Sequence, residues 1–390
     1  MSGPVRALFV TYSMLAAPGV GPSMIGALKR CLRLVACLPA EEIEPLWIHS
    51  GPVFRQDPLV REVAARLPRY DSWGRLEGPW RMAAGERFWR ASDRLSALPA
   101  LNLPRVALGQ GLPLLYQAHA LRRLLARLRP DVVVLGDNPL NGLLRRASRV
   151  ARELGIPQVG IDDHLSRWQH ESLARSSPQV DRWLLVGIPF DGRLGRLSPS
   201  LAVAPPLLPG APAAPAERTD LTIFGYDPHI ARLGLDFLAR LPAGTTARLI
   251  STGLSDAQRR DFAERAAGRR LSFVPFPTDG EFRACLASSA LVFCKNGFQQ
   301  IVETLAVGTP AIAVPVAGGV PECFLDDDLR PYVHYLSGWE DALALARSWM
   351  AERPRPAWVE DLDRLESPVR HGAALLADLV RDAAERAVAA

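Results

Sequence analysis

One short stretch concentrates the residue types that hold a phosphorylated ligand: Lys295-Asn296-Gly297-Phe298-Gln299-Gln300-Ile301-Val302-Glu303, with Gly308-Thr309-Pro310 behind it. Asn296 is a good helix N-cap, and Gly297 lets backbone come close to a ligand. A helix starting there presents free N–H groups and the positive end of its dipole, which suits phosphate. Glu303 follows Asn296 by about two helical turns and so lies on roughly the same face. A carboxylate in that place can accept hydrogen bonds from ribose hydroxyls of a nucleotide whose phosphates sit at the helix tip. Lys295 adds a cation beside the loop. It stands out because only Lys29 and Lys295 are lysines among 46 basic residues. An ordinary βαβ unit with a capped helix fits the same spacing.

A second set of groups offers acid–base chemistry. Asp137 follows the apolar run Asp131 to Gly136, and Asp162-Asp163-His164 follows the run Gly155 to Ile161. If both runs are parallel strands, all four groups reach one rim of a sheet, where they can exchange protons with a substrate. Each also fits a helix cap or a turn. With His170 the cluster is only loosely like a metal site, and no metal is expected. No cofactor is expected either.

The elements that must position these groups read as two strand-first units. In the first, Val5 to Thr11 is a buried strand, a glycine loop Pro18-Gly19-Val20-Gly21-Pro22 follows, and a helix is expected over Ser23 to Leu38. Ile43 to His49 is a second strand, and the unit 131–161 is a βαβ. Residues 198–215 are rich in Pro and Ala and read as a linker. The second unit starts at Leu221 to Gly225 and alternates strand and helix through Val314, with helices near Asp227 to Leu241, Ser255 to Ala267, Glu281 to Ala287 and Phe298 to Val307. Gly308 ends the last of these as a C′ glycine. The expectation is an α/β chain of two Rossmann-like doubly wound domains facing a cleft. Their bounds are 1–200 for the N-terminal domain, 201–219 for the linker, 220–365 for the C-terminal domain and 366–390 for a closing helix.

Composition narrows the class. Hydrophobic residues make up 48% and charged residues 22%, and no apolar run is long enough to span a bilayer. Val5 opens a strand where a leader segment would have its apolar run. Five scattered cysteines point to reduced thiols and a cytoplasmic location. Residues 1–205 carry 27 basic and 17 acidic side chains, so the net positive charge sits in the N-terminal half. Pro79 to Leu103 interleaves Trp80, Phe88 and Trp89 with four arginines. That pattern fits either a peripheral membrane face or plain helix packing with a solvated arginine side. Nucleic-acid binding has no motif behind it.

The pattern Asn296-Gly297-Phe298-Gln299-x3-Glu303-x4-Gly308-Thr309-Pro310-Ala311-Ile312-Ala313-Val314-Pro315, two Rossmann-like halves and a Pro-rich hinge resemble the GT-B glycosyltransferases. The nearest branch holds the MurG-type and related UDP-sugar transferases. Asp131 to Val159 is similar to the second half of their N-terminal domain. The resemblance implies a hexosyltransferase that moves a sugar from a nucleoside diphosphate, by family analogy UDP, to a hydroxyl of a small-molecule or lipid-linked acceptor, without metal. It implies diphosphate at Lys295, Asn296, Gly297, Phe298 and Gln299, ribose at Glu303, base near Val274 and Phe276, and a phosphate-side loop at Gly225 and Tyr226. Glu322 would meet the donor sugar. Cell-envelope or natural-product glycosylation would be the setting.

One departure matters. Family members often carry a His in the first glycine loop, where Pro22 stands here. Proline cannot act as a base, so the catalytic group must be sought at Asp137, Asp162 or His164. Two other readings stay open: a UDP-N-acetylglucosamine 2-epimerase-like isomerase, and a non-catalytic partner or activator of another transferase. Release of UDP, epimer formation, or silence would separate the three.

Overall fold

The computed structural model describes residues 3–12, 26–50, 69–70, 121–137, 142–164, 180–187, 195–198, 200–208, 217–225, 228–251, 256–266, 268–275, 277–316, 322, 325 and 329–389. The glycine loop 18–22, the Arg- and Trp-rich stretch Pro79 to Leu103, His170, Tyr226 and Phe276 lie outside them.

Eight strands form the first sheet: β1 (Val5–Tyr12), β2 (Ile43–Ser50), β3 (Arg69–Tyr70), β4 (Val132–Leu135), β5 (Gln158–His164), β6 (Arg182–Gly187), β7 (Gly195–Ser198) and β8 (Leu201–Ala204). Their order is β3-β2-β1-β4-β5-β6-β8-β7. All pairs run parallel except the β7–β8 edge. Six parallel strands form the second sheet: β9 (Thr219–Phe224), β10 (Thr246–Ser251), β11 (Arg270–Pro275), β12 (Ser289–Lys295), β13 (Ala311–Val314) and β14 (Val333–Tyr335), in the order β11-β10-β9-β12-β13-β14.

Parallel strands need helical crossovers, so both faces of each sheet are covered and the strands read as continuous apolar runs. Val132, Val133, Val134 and Leu135 of β4 are all fully buried. One face of the first sheet packs Phe9, Trp47 and Val134 against α1 (Gly26–Ala36) and a long later helix. The other packs Leu8, Ile48 and Val133 against α2 (residues 121–128) and α3 (Gly142–Glu153). In the second sheet, Ile223 and Phe293 pack against α4 (Pro228–Leu238) and α5 (Asp256–Arg265). Phe224, Val292 and Ala313 face α6 (Asp279–Ala287) and α7 (Phe298–Ala306). Beyond β14 come α8 (Trp339–Glu352), α9 (Val359–Asp363) and α10 (Pro368–Ala389). No helix among the described residues is long and apolar enough to cross a membrane.

One feature differs from expectation, and one was left open by the sequence. Residues 201–208, read as the start of a linker, belong to the first sheet's core. Leu201–Ala204 pairs with β6 as β8, and Leu207 is buried in the core under α1. The reason is apolar content: Leu201, Val203 and Leu207 are better buried than strung between domains. The closing helix α10 packs on the first sheet. Its Val369, Ala373, Leu376 and Val380 pack in one cluster with Ala7, Phe9, Leu34 and Ala204.

Both sheets therefore share the strand order 3-2-1-4-5-6 over their first six positions. The order reverses between β1 and β4 in one sheet and between β9 and β12 in the other. Crevices outside the strand ends at such reversals are where open α/β sheets bind ligands.

Candidate functional site

At the second sheet's reversal, β12 ends in Lys295 and α7 begins three residues later. Asn296 is not the N-cap that its residue type suggests. Its amide donates to the Val314 carbonyl at 2.9 Å, and its side-chain Oδ1 accepts from the Val316 amide at 2.9 Å. The side chain is thus spent on tying the β12 end to the segment after β13. Gly297 is the N-cap instead, and no side chain caps the helix. The amides of Phe298, Gln299 and Gln300 are left without an intrahelical acceptor. A Cβ on Gly297 would lie 3.0 Å from Cε of Lys295, so the missing side chain lets the lysine stem pass against the helix start. The other end closes as expected. Gly308 has φ of +80°, its amide reaches the Leu305 carbonyl, and the Thr309 amide reaches that of Thr304.

Glu303 sits in the second turn of α7, and its side chain is only 8% exposed. Its Oε1 accepts from Gln299 Nε2 at 2.9 Å and from Arg33 NH1 at 2.6 Å. Among the described residues its Oε2 accepts no hydrogen bond. Arg33 belongs to α1 of the first sheet. Its Nε also donates to Asp279 Oδ2 at 2.6 Å, in the first turn of α6. A capping box of Thr278 and Glu281 fixes that turn. Burial works against the Arg33 charge, but Asp279 and Glu303 outweigh it and hold the guanidinium more firmly protonated than usual. Burial also opposes the Asp279 charge, yet Arg33 outweighs it with help from Lys29, and the carboxyl titrates below its ordinary range.

Gly225, Val274 and Glu322 are the other donor-side residues among those described. A Cβ on Gly225 would lie 2.5 Å from Leu249 Cδ2 and 3.1 Å from the Ile250 carbonyl, so the glycine is demanded by sheet packing. Val274 is half-buried against the cluster of Phe224 and Ile250. Glu322 is exposed, and its carbonyl accepts from the Leu325 amide.

At the first sheet's reversal, Asp137 follows β4, and Asp162 and Asp163 lie in β5 beside it. Arg30, one helical turn before Arg33 on α1, is buried among them. Its NH1 donates to Asp163 Oδ1, its NH2 donates to the Gly136 carbonyl at 2.9 Å, and Asp137 lies 4.0 Å away. The Asp163 amide donates to Asp162 Oδ1 at 2.8 Å. Burial pushes the Asp162 carboxyl well above the ordinary range; Asp137 pushes the same way and Arg30 opposes. Burial raises Asp163 as well, against the charge and hydrogen bond of Arg30. His164 ends β5 opposite Gly187, with its side chain outside the described residues. Cys31 in the same crevice is pushed by burial up to about 12, and so is Cys294, which leaves both as inert thiols at neutral pH. Among the described residues no group of His, Cys, Asp and Glu could hold a metal.

The two reversals meet at α1. Arg30 faces the carboxylates of the first crevice, Arg33 faces those of the second, and α7 packs against β5. The arrangement places an uncapped helix start and a lysine, fit for a polyanion, near a carboxyl that takes up a proton more readily than usual. Sequence reasoning missed Arg30, Arg33 and Asp279. The i, i+3 spacing of two arginines within the apolar face Leu28, Cys31, Leu34 and Val35 was the available clue, hidden among so many other arginines.

No family model matches the chain, and no curated protein sequence matches it significantly. Solved structures do. MurG from Acinetobacter baumannii is 12% identical, with 96% of this chain and 99% of that one covered and a TM-score of 0.57. The glycosyltransferase of kitacinnamycin is 17% identical over 97% and 99%, with a TM-score of 0.56. A UDP-GlcNAc 2-epimerase from Neisseria meningitidis, solved with UDP-GlcNAc bound, is 11% identical over 97% and 100%, with a TM-score of 0.53. At such identities the likeness speaks for architecture alone: two doubly wound halves in this order, matched along nearly the whole chain, give this protein the GT-B fold.

Proposed function

We propose that the protein is a glycosyltransferase that moves a sugar from a nucleoside diphosphate, a uridine donor in this reading, to a hydroxyl acceptor without a metal. The observation that carries the reading is the uncapped start of α7 at the sheet reversal, with Lys295 beside it and Glu303 presenting one unpaired oxygen. Diphosphate would lie on the amides of Phe298 and Gln299 and near Lys295, and ribose on Oε2 of Glu303. As the bond from the sugar's anomeric carbon to the diphosphate oxygen breaks, negative charge grows on that oxygen. The helix dipole and fixed N–H donors are already aimed there and need no reorganisation.

Across the cleft, the acceptor hydroxyl must lose its proton as its oxygen bonds to the anomeric carbon. Asp162 is the base in this reading. Burial raises its pKa and so makes it a stronger proton acceptor than an ordinary carboxylate, while Asp163 accepts a hydrogen bond from Arg30. Asp137 keeps Asp162 basic by its charge, and His164 is the alternative at the same strand end. Titration of the wild-type protein with UDP in a calorimeter tests the donor half. Glu303→Ala should weaken binding by about 1–3 kcal/mol, the usual cost of unmaking a charged hydrogen bond. Unchanged affinity in a folded variant would remove Glu303 from the site. Incubation with UDP-sugars tests the chemistry: UDP release supports transfer, and epimerised donor or inertness refutes it.

A further inference from the structure

The Arg33 guanidinium of α1, a helix of the first sheet, donates hydrogen bonds to two acidic side chains of the second half, Asp279 and Glu303. We propose that Arg33 is a positioning residue for the donor's ribose: it reaches out of the acceptor-side half and fixes the Glu303 carboxylate, so that ribose recognition is complete only when the two halves are together. The proposal rests on the ribose role given to Glu303 above.

Three observations carry it. Arg33 and Gln299 both donate to the same oxygen of Glu303, which pins the carboxylate plane and leaves Oε2 without a partner. A residue that blocked the site would take both oxygens. Arg33 is itself held from a second side, since Nε binds Asp279, whose helix turn is locked by the Thr278–Glu281 capping box. The fork geometry of a guanidinium allows both bonds at once, which an ammonium cannot reproduce. Finally, Arg33 and Glu303 are almost wholly withdrawn from water, where a charged pair is strongly directional and poorly screened. Arg30, one turn earlier, ties the same helix to Asp163 of the acceptor crevice. Helix α1 thereby connects the orientation of the ribose carboxylate to the residues around the proposed base.

The test compares UDP with 2′-deoxy-UDP by calorimetry on wild-type protein, Glu303→Gln, Arg33→Met, Arg33→Lys and Arg33→Met/Glu303→Gln. Wild type should prefer UDP by about tenfold, the worth of one charge-assisted hydrogen bond. Arg33→Met should lose that preference, and should add no further loss in the Glu303→Gln background. Arg33→Lys keeps the charge but not the fork, and should recover only part of the preference; it also decides the matter if Arg33→Met does not fold. A merely structural arginine would change affinity for both nucleotides alike. If wild type discriminates, Glu303→Gln does not, and the folded Arg33 variants still do, the positioning role is overturned while the donor site stands. If wild type binds UDP without discrimination, the ribose role of Glu303 falls and this proposal with it. Failure of wild type to bind any nucleoside diphosphate overturns the donor reading itself.

Discussion

The two sheet reversals are built alike and furnished differently. β1 and β4 in one half, and β9 and β12 in the other, diverge in the same topological way and leave the same kind of crevice. In the first, the space is lined by Asp137, Asp162 and Asp163, with Arg30 paired to Asp163 and Asp137. In the second, it holds Lys295 and a helix start whose amides have no cap. The scaffold is therefore neutral about chemistry, and the residues just beyond the strand ends decide it. One crevice is suited to hold a proton, the other to hold an anion.

That contrast can be broken at three points. The largest effect should come from Asp162→Asn, which removes the proton acceptor and should lower turnover by about 10²–10⁴-fold while leaving UDP affinity intact. Because the Asp162 carboxyl titrates above its ordinary range, the acid limb of the kcat/KM profile should also lie above that range and vanish in the variant. Weakened nucleotide binding in Asp162→Asn would erase the division between the crevices. A smaller effect is expected from Asn296→Asp. The new carboxylate can still accept from the Val316 amide, and it sets a negative charge at the α7 start. UDP affinity should fall about tenfold, because the carboxylate just before the helix repels the phosphate and competes for the positive helix end. Equal affinity would mean that the phosphate does not sit there.

The smallest effect concerns stability. A carboxyl whose folded pKa is raised binds its proton more tightly folded than unfolded, so wild type loses stability as pH rises from the ordinary carboxylate range toward the raised value. Asp162→Asn lacks that loss. Denaturant midpoints should favour the variant at neutral pH and converge toward wild type in acid, and a parallel pair of curves would contradict the burial of this group.

The sequence was most legible where local rules and burial agree. The βαβ order of the second half, the four-residue run of β4 and the C′ role of Gly308 were all readable, because apolar runs and a positive-φ glycine leave few alternatives. Local rules failed at Asn296, where a residue favoured as N-cap was recruited by the Val316 amide twenty residues later. They failed again at Arg33, whose partners are 246 and 270 residues away. Pairings at that range have no periodicity to betray them. A chain in which arginine supplies nearly every cation gives no hint of which arginine is buried. The Leu201–Ala204 strand was masked in a different way, since the proline-rich segment that follows dominated its composition.

The return of α10 to the first sheet has a consequence for how the protein is made. Phe9 and Leu34 emerge from the ribosome early, yet Leu376, Val380 and Ala384, which complete their core, are translated only after the whole second sheet. At about 5–20 residues per second, that interval is tens of seconds. Throughout it, the first half must wait with part of its apolar face uncovered, whereas the second half can close as soon as its own strands and helices are out. Biogenesis would then run against the order of the chain, with the half made second maturing first and the half made first exposed longest to aggregation and to chaperones.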